Sequence, residues 1–206
     1  MKAEMCKKWI QRQTNLTLSE IEQTNLIQRA CSDTDAFAQL YLLHYNNVFN
    51  YCVHRLFDHH HAEDVTSTVF LKAMHGLDSF DGRAANFRNW LLCIATNAVN
   101  DYLRDAKRRA DVMQRVVKNT RAESVFDISS DDVLLEKKAH LKQALLSLKP
   151  KYQAVIVFHF FEKMKLTEIA ACLDKSPSTI RTWLSRATAK LRKKLSADVN
   201  NGGSIL

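Results

Sequence analysis

Between Lys175 and Leu195 the chain carries seven basic side chains, Lys175, Arg181, Arg186, Lys190, Arg192, Lys193 and Lys194, and no acidic one. At 100° per residue, Ser178, Arg181, Thr182, Ser185, Ala189 and Arg192 gather on one helical face, and Ile180, Leu184, Ala187, Leu191 and Leu195 form an apolar stripe opposite. Such a helix suits the major groove of DNA. There Arg forks to guanine, Ser and Thr reach bases or phosphates, and flanking Lys and Arg neutralise backbone. Ser176 is placed to cap this helix and Pro177 to occupy its first position. Ahead of it, Ile169, Ala170 and Leu173 mark a short helix, followed by the turn Asp174–Lys175. Charge alone fits a solvated basic face equally well; helix, short turn and capped basic helix together read as a DNA-binding helix-turn-helix.

A second surface has a different chemistry. Asn89, Cys93, Asn97, Asn100, Arg104 and Lys107 stack along one side of a helix whose inner face is Trp90, Leu91, Ile94, Ala95, Ala98, Val99 and Tyr102. Amides leading into the basic end Arg104, Lys107, Arg108 and Arg109 suit both the backbone and the bases of DNA. The preceding loop, Asp78–Asn86, is flanked by Phe80 and Phe87, which serve either as stacking surfaces for an unstacked base or as core rings. One helix earlier, Val65, Val69 and Ala73 lie on one arc, with Phe70, Met74 and Leu77 on another. That width fits a central bundle helix or a helix with a protein partner.

Bond-making chemistry finds little support. His59, His60 and His61, with His54 or Asp58, invite a metal reading, yet consecutive residues of regular structure do not aim at one ion and no C-x-x-C pair is present. The run reads as a polar interhelical loop, Asp58–His61. Ser, His and Asp fall into no nucleophile-and-base spacing, and four glycines form no phosphate-binding loop. No catalytic residue, metal ligand or cofactor is expected.

The elements that hold these surfaces must be helical. Of 206 residues only four are Gly and two Pro, too few for the tight turns of a sandwich or barrel, so an all-α fold is expected. Thirty Lys plus Arg against 22 Asp plus Glu give a net charge of +8, which suits an anionic partner. Five scattered cysteines read as reduced thiols, and no apolar run approaches the length of a membrane span, so a soluble cytoplasmic protein without membrane insertion is expected. The pattern divides into an N-terminal extension (1–24), a helical domain (25–110), a flexible linker (111–132), a second helical domain (133–197) and a flexible tail (198–206). Helices are expected across 25–57 with a break at 32–35, and over 62–77 and 87–109. Periodicity from 133 to 195 breaks at Pro150 and around 174–177.

These segments resemble the extracytoplasmic-function (ECF, group four) sigma factors of the sigma-70 family. AEDVTSTVFLKAM (62–74) resembles the family's helix that docks on the β′ clamp helices of RNA polymerase. FRNWLLCIATNAVNDYLRDAKRR (87–109) resembles its strand-opening, −10-reading helix. LKQALLSLKPKYQAVIVFHFFEKMKLTEIAACLDKSPSTIRTWLSRATAKLRKKL (141–195) resembles its −35-reading domain. The resemblance implies that Asp64, Val65, Ser67, Phe70 and Lys72 face polymerase. It implies that Asn86, Arg88, Asn97, Arg104, Lys107 and Arg108 lie near melting −10 DNA, and that Ser178, Thr179, Arg181, Thr182, Ser185 and Arg186 occupy the −35 groove. It further implies a transcription initiation factor that is not an enzyme. Its partners would be core polymerase (β′ clamp helices and β flap) and promoter DNA, with an anti-sigma factor left open. Many members carry Gln and Glu where this chain has Ser67 and Thr68, and Gly where it has Asp174. The alternatives are a stand-alone helix-turn-helix regulator, which leaves the polar face 89–107 unexplained, or a DNA recombinase, which would want a carboxylate cluster.

Overall fold

The computed structural model describes residues 20–80, 84–116 and 133–201, and every regular element among them is helical. The order is α1 (Glu20–Ala30), α2 (Thr34–Leu56), α3 (His59–Gly76), a 3-10 turn (Leu77–Ser79) and α4 (Ala84–Val116). There follow α5 (Val133–Leu146), α6 (Pro150–Ile156) running into a π-helical turn (Val157–Phe161), α7 (Leu166–Cys172) and α8 (Pro177–Asn201). By their contacts these residues form two compact units. One reaches to Ala98 and includes Cys172–Asp174; the other comprises Val99–Ala171 and the residues from Lys175 onward.

Local chemistry sets the helix ends of the first unit. Asp33 caps α2 by accepting the Asp35 and Ala36 N–H groups at 2.9 and 3.3 Å, and Arg29 pairs with the same carboxylate at 3.0 Å. Phe57 closes α2 in the left-handed region at φ 54. Asp58 then caps α3 by accepting the His61 N–H at 3.0 Å. The histidine run is therefore the first turn of α3, which corrects the expected loop at 58–61: a capping carboxylate starts the helix at once. On α3, Val65, Val69, Ala73 and Phe70 are buried, as is Leu77 in the 3-10 turn that follows, so most of the second arc serves this unit's own core. Met74 and Leu71 stay exposed.

The core of this unit is threaded by polar bonds. Arg55, fully buried, donates from Nη1 to the Tyr51 hydroxyl at 2.7 Å; that hydroxyl lies 2.7 Å from Thr96 Oγ1, which donates to the Leu92 carbonyl at 2.8 Å. The relay ties α2 to α4, and its bonds offset the cost of hiding a guanidinium. Nearby, Gln23 Nε2 donates to His44 Nε2 at 3.0 Å, so α1 reaches back into the segment expected as an extension. Residues 1–19 lie outside the described residues.

α4 is longer than the expected 87–109. No Gly or Pro interrupts it, and Asp101–Arg104 and Asp105–Arg108 pairs at i, i+3 support its later turns. Six residues assigned to the linker are thus helix; 117–132 lie outside the described residues. The tail expected from 198 is likewise helical to Asn201.

In the second unit α8 packs on α5 and α6 over a core that includes Leu145, Val155, Phe158, Ile180 and Ala187. α7 closes with Asp174 at φ 50 and the Lys175 N–H bonded to the Ala170 carbonyl at 2.9 Å, a Schellman-type end. That left-handed geometry explains a Gly preference here, and Asp is among the side chains that tolerate it. Cys31 and Cys52 are free thiols as expected, whereas Cys93 and Cys172 are joined as a disulfide, which corrects the thiol expectation for that pair; Cys6 lies outside the described residues. Among the described residues no helix is long and apolar enough to cross a membrane.

Candidate nucleic-acid interface

α8 begins on the chemistry its sequence suggests. Pro177 is its first residue, and Ser176 Oγ accepts the Thr179 N–H at 3.2 Å. The same oxygen lies 2.8 Å from Ser178 Oγ and 2.9 Å from Thr179 Oγ1, so three hydroxyls meet at the mouth of the helix. Ile180 and Ala187 are fully buried, which turns the opposite side outward. Ser178, Arg181, Thr182, Ser185 and Arg186 are exposed and Thr179 is half-buried. Thr182 donates to the Ser178 carbonyl at 3.0 Å, leaving its lone pairs outward. All six side chains fall within the first three turns, the part of a recognition helix that meets base edges.

Two residues absent from the sequence-derived set join this surface. Lys151, in the first turn of α6, places Nζ 4.8 Å from the ring centroid of Trp183 and 5.3 Å from that of Tyr152. No spacing signal links positions 32 apart on two helices.

On α4, Asn97, Arg104, Lys107 and Arg108 are exposed, and Asn97, Arg104 and Arg108 align at i, i+7 and i+11. Arg104 pairs with Asp101 at 2.8 Å and Arg108 with Asp105 at 3.7 Å. Arg88 stands half a turn away from that line. Burial, and after it the charge of Arg88, push the His44 imidazole down to about 4, so the ring is neutral near pH 7. The Asn86 side chain lies outside the described residues. Phe80, Phe87 and Trp90 have ring centroids 5.1 to 5.5 Å apart. Phe87 is core, edge-on to His44 at 5.1 Å, whereas Phe80 and Trp90 are half-buried.

The α3 set splits. Asp64, Ser67 and Lys72 are exposed; Val65 and Phe70 are 4 % and 5 % exposed, with Phe70 packed on Tyr41 at 4.6 Å between centroids. Ser67 and Thr68 donate to the Glu63 and Asp64 carbonyls at 3.1 and 3.0 Å. In the second unit an apolar groove of about 600 Å³ opens between α5, the π-helical turn and α8, with Phe160 and Phe161 exposed along it.

Comparison with known proteins matches both helical regions. The sigma-70 region 2 family matches residues 40–109, and sigma-70 region 4 matches residues 139–191. The chain is 32 % identical to the ECF RNA polymerase sigma factor SigW of Bacillus subtilis over 172 residues, covering 79 % of this chain and 90 % of that one. It is also 32 % identical to the RNA polymerase sigma factor YlaC of the same organism, covering 78 % and 92 %. Among solved structures, CnrH in complex with the cytosolic domain of CnrY matches with a TM-score of 0.62 at 25 % identity, over 85 % of this chain and 98 % of that one. With both regions present in order, and with relatives matched along nearly their whole length, the chain belongs to the ECF sigma factors of the sigma-70 family.

Proposed function

We propose that this chain lends promoter specificity to core RNA polymerase through three faces and carries out no bond chemistry itself. α8 reads −35 duplex with Ser178, Thr179, Arg181, Thr182, Ser185 and Arg186. α4 meets melting −10 DNA with Asn97, Arg104, Lys107 and Arg108, with Asn86 and Arg88 from its first turns. α3 docks on the β′ clamp helices through Asp64, Ser67 and Lys72, with Val65 and Phe70 supporting that face from below. The observation that carries the reading is α8: a capped helix, buried on one side, whose outward face over its first three turns carries the hydroxyls and guanidiniums of Ser178, Arg181, Thr182, Ser185 and Arg186. Binding energy gained from unstacked non-template bases offsets part of the cost of opening duplex.

The apolar groove beside α8, lined by Leu141, Leu145, Phe160, Phe161, Leu191 and Leu195, fits an apolar polymerase segment, and we assign it to the β flap. Residues 25–110 and 133–197 are the working domain boundaries, and 111–132 the tether that raises the effective concentration of the second domain. A cytoplasmic location follows from the role. CnrH was solved with CnrY, and an anti-sigma factor is carried here as a further partner.

Association with core polymerase, measured by fluorescence anisotropy of labelled protein, tests the docking face. The expected result is tight binding that weakens at least about tenfold in an Asp64→Ala, Ser67→Arg, Lys72→Ala variant with an unchanged melting temperature. Absence of binding by the unaltered protein overturns the proposal and leaves a stand-alone regulator.

A further inference from the structure

We propose that Lys151 is a DNA-phosphate contact of the helix-turn-helix, delivered from α6 and aimed by the indole of Trp183. The inference rests on the reading of α8 as the duplex-binding helix. Lys151 is exposed, and its ammonium lies within the roughly 6 Å over which a ring face attracts a cation, for both Trp183 and Tyr152. A ring attracts through its quadrupole and leaves the unit charge in place, whereas a carboxylate partner would cancel it. Lys151 is therefore restrained in advance of binding by a partner that does not cancel its charge.

The position of Trp183 fixes where that charge sits. On α8 it is one turn from both Thr179 (i−4) and Arg186 (i+3), on the flank between the buried stripe and the outward face. It is half-buried, filling the seam with α6 and holding Lys151 at the border of the hydroxyl and guanidinium surface. From Pro177 to Leu195, the part of α8 that flanks Trp183, there is no acidic side chain to compete for this cation. A compact ammonium serves phosphate as a point charge and lacks the planar fork that reads guanine. Lys151 thus adds affinity that is blind to sequence, from a helix outside the recognition helix.

The test uses holoenzyme, formed from core polymerase and the full chain. Its affinity is measured against NaCl concentration on a duplex carrying the upstream promoter element and on a scrambled duplex of equal length. Lys151→Gln is expected to weaken both duplexes alike, roughly fivefold at moderate salt, and to reduce the slope of log affinity against log salt by about 0.9. Trp183→Phe, which keeps a ring, is expected to preserve the slope. Trp183→Leu is expected to lose part of the affinity, and Lys151→Gln to cost less in that background. An unchanged slope for Lys151→Gln overturns the proposal, and so does a loss confined to one duplex. Lower affinity at constant slope with a lowered melting temperature also overturns it, by making the residue structural. Holoenzyme that binds the upstream duplex with a steep slope that Arg181→Ala and Arg186→Ala leave unaffected contradicts the α8 reading itself, a failure separate from that of Lys151.

Discussion

The first unit is polar inside and the second is not, and two basic stretches of helix, one late in α4 and one in α8, differ as much in how their charge is held. Among the described residues the first buries His44, Arg55, Thr66 and Thr96, whereas the second buries only Gln153 among polar side chains. Outside, Asp101–Asp111 of α4 sets four bases against three acids, while Lys175–Leu195 sets seven against none. Arg104 and Arg108 already rest on Asp101 and Asp105. Among the described residues of α8 no base is held by a carboxylate. On the proposed reading, α8 attracts duplex at a distance, whereas α4 exchanges carboxylates for phosphates once polymerase has brought DNA to it. Acid should therefore act mainly on the first unit, through its buried imidazole, and salt mainly on α8.

The largest effect expected is of pH. His44 is held neutral down to about 4, against an ordinary value of 6.5, so below pH 6.5 the unfolded chain takes up a proton that the folded chain refuses. Stability is complete above pH 6.5 and declines toward pH 4 by about 3 kcal/mol. Burial lowers His54 as well and adds in the same sense. Asp33, held below its ordinary 3.8 chiefly by Arg29, and Asp58, held there chiefly by the His61 N–H, lose their contributions only at lower pH. Hydrogen exchange should show α2 and the front of α4 losing protection as pH falls from 6.5 to 4 while α8 keeps its own, and His44→Gln should flatten the response. Equal loss in both units would erase the contrast.

Next in size is Arg181→Ala, which should cost about 1–3 kcal/mol at one base pair of the upstream element and little elsewhere, as read by competition among single-base promoter variants. Uniform weakening would make Arg181 a phosphate contact. Asp101→Asn with Asp105→Asn should raise affinity for random-sequence DNA about two- to fivefold at low salt, with the gain vanishing at high salt. No change would mean that the ion pairs do not restrain α4. Smallest is Asp174→Gly, which should stabilise the helix-turn-helix by about 0.5–1 kcal/mol in chemical denaturation and leave DNA affinity unaltered.

Much of this was legible in the sequence because it depends on periodicity and caps. Ser176, Pro177 and the Ile180–Leu195 stripe define α8 without reference to any other element, and the Gly and Pro scarcity points to helices throughout. What escaped depends on contacts between helices or on the strength of one cap. The histidine run reads as a loop until Asp58 is seen to start α3. Val65 and Phe70 share a helix with exposed Asp64 and Ser67, and only the packing of α2 shows that they point inward. The Arg55–Tyr51–Thr96 relay joins two residues one turn apart on α2 to one 45 positions away on α4, and Lys151 meets Trp183 only after α6 folds onto α8. Charge patterning gave six bases for α8 and a mixed run for α4, but which acids hold which bases depends on how the side chains lie in the folded helix.

The measurement that bears most directly on the account is run-off transcription from a mapped promoter, with core polymerase stripped of its own specificity subunit and the purified chain added. The account predicts specific transcripts that require the chain and are lost when Arg181 and Arg186 are replaced by Ala. Polymerase that stays silent, or transcripts that begin at the same sites without the chain, would contradict it.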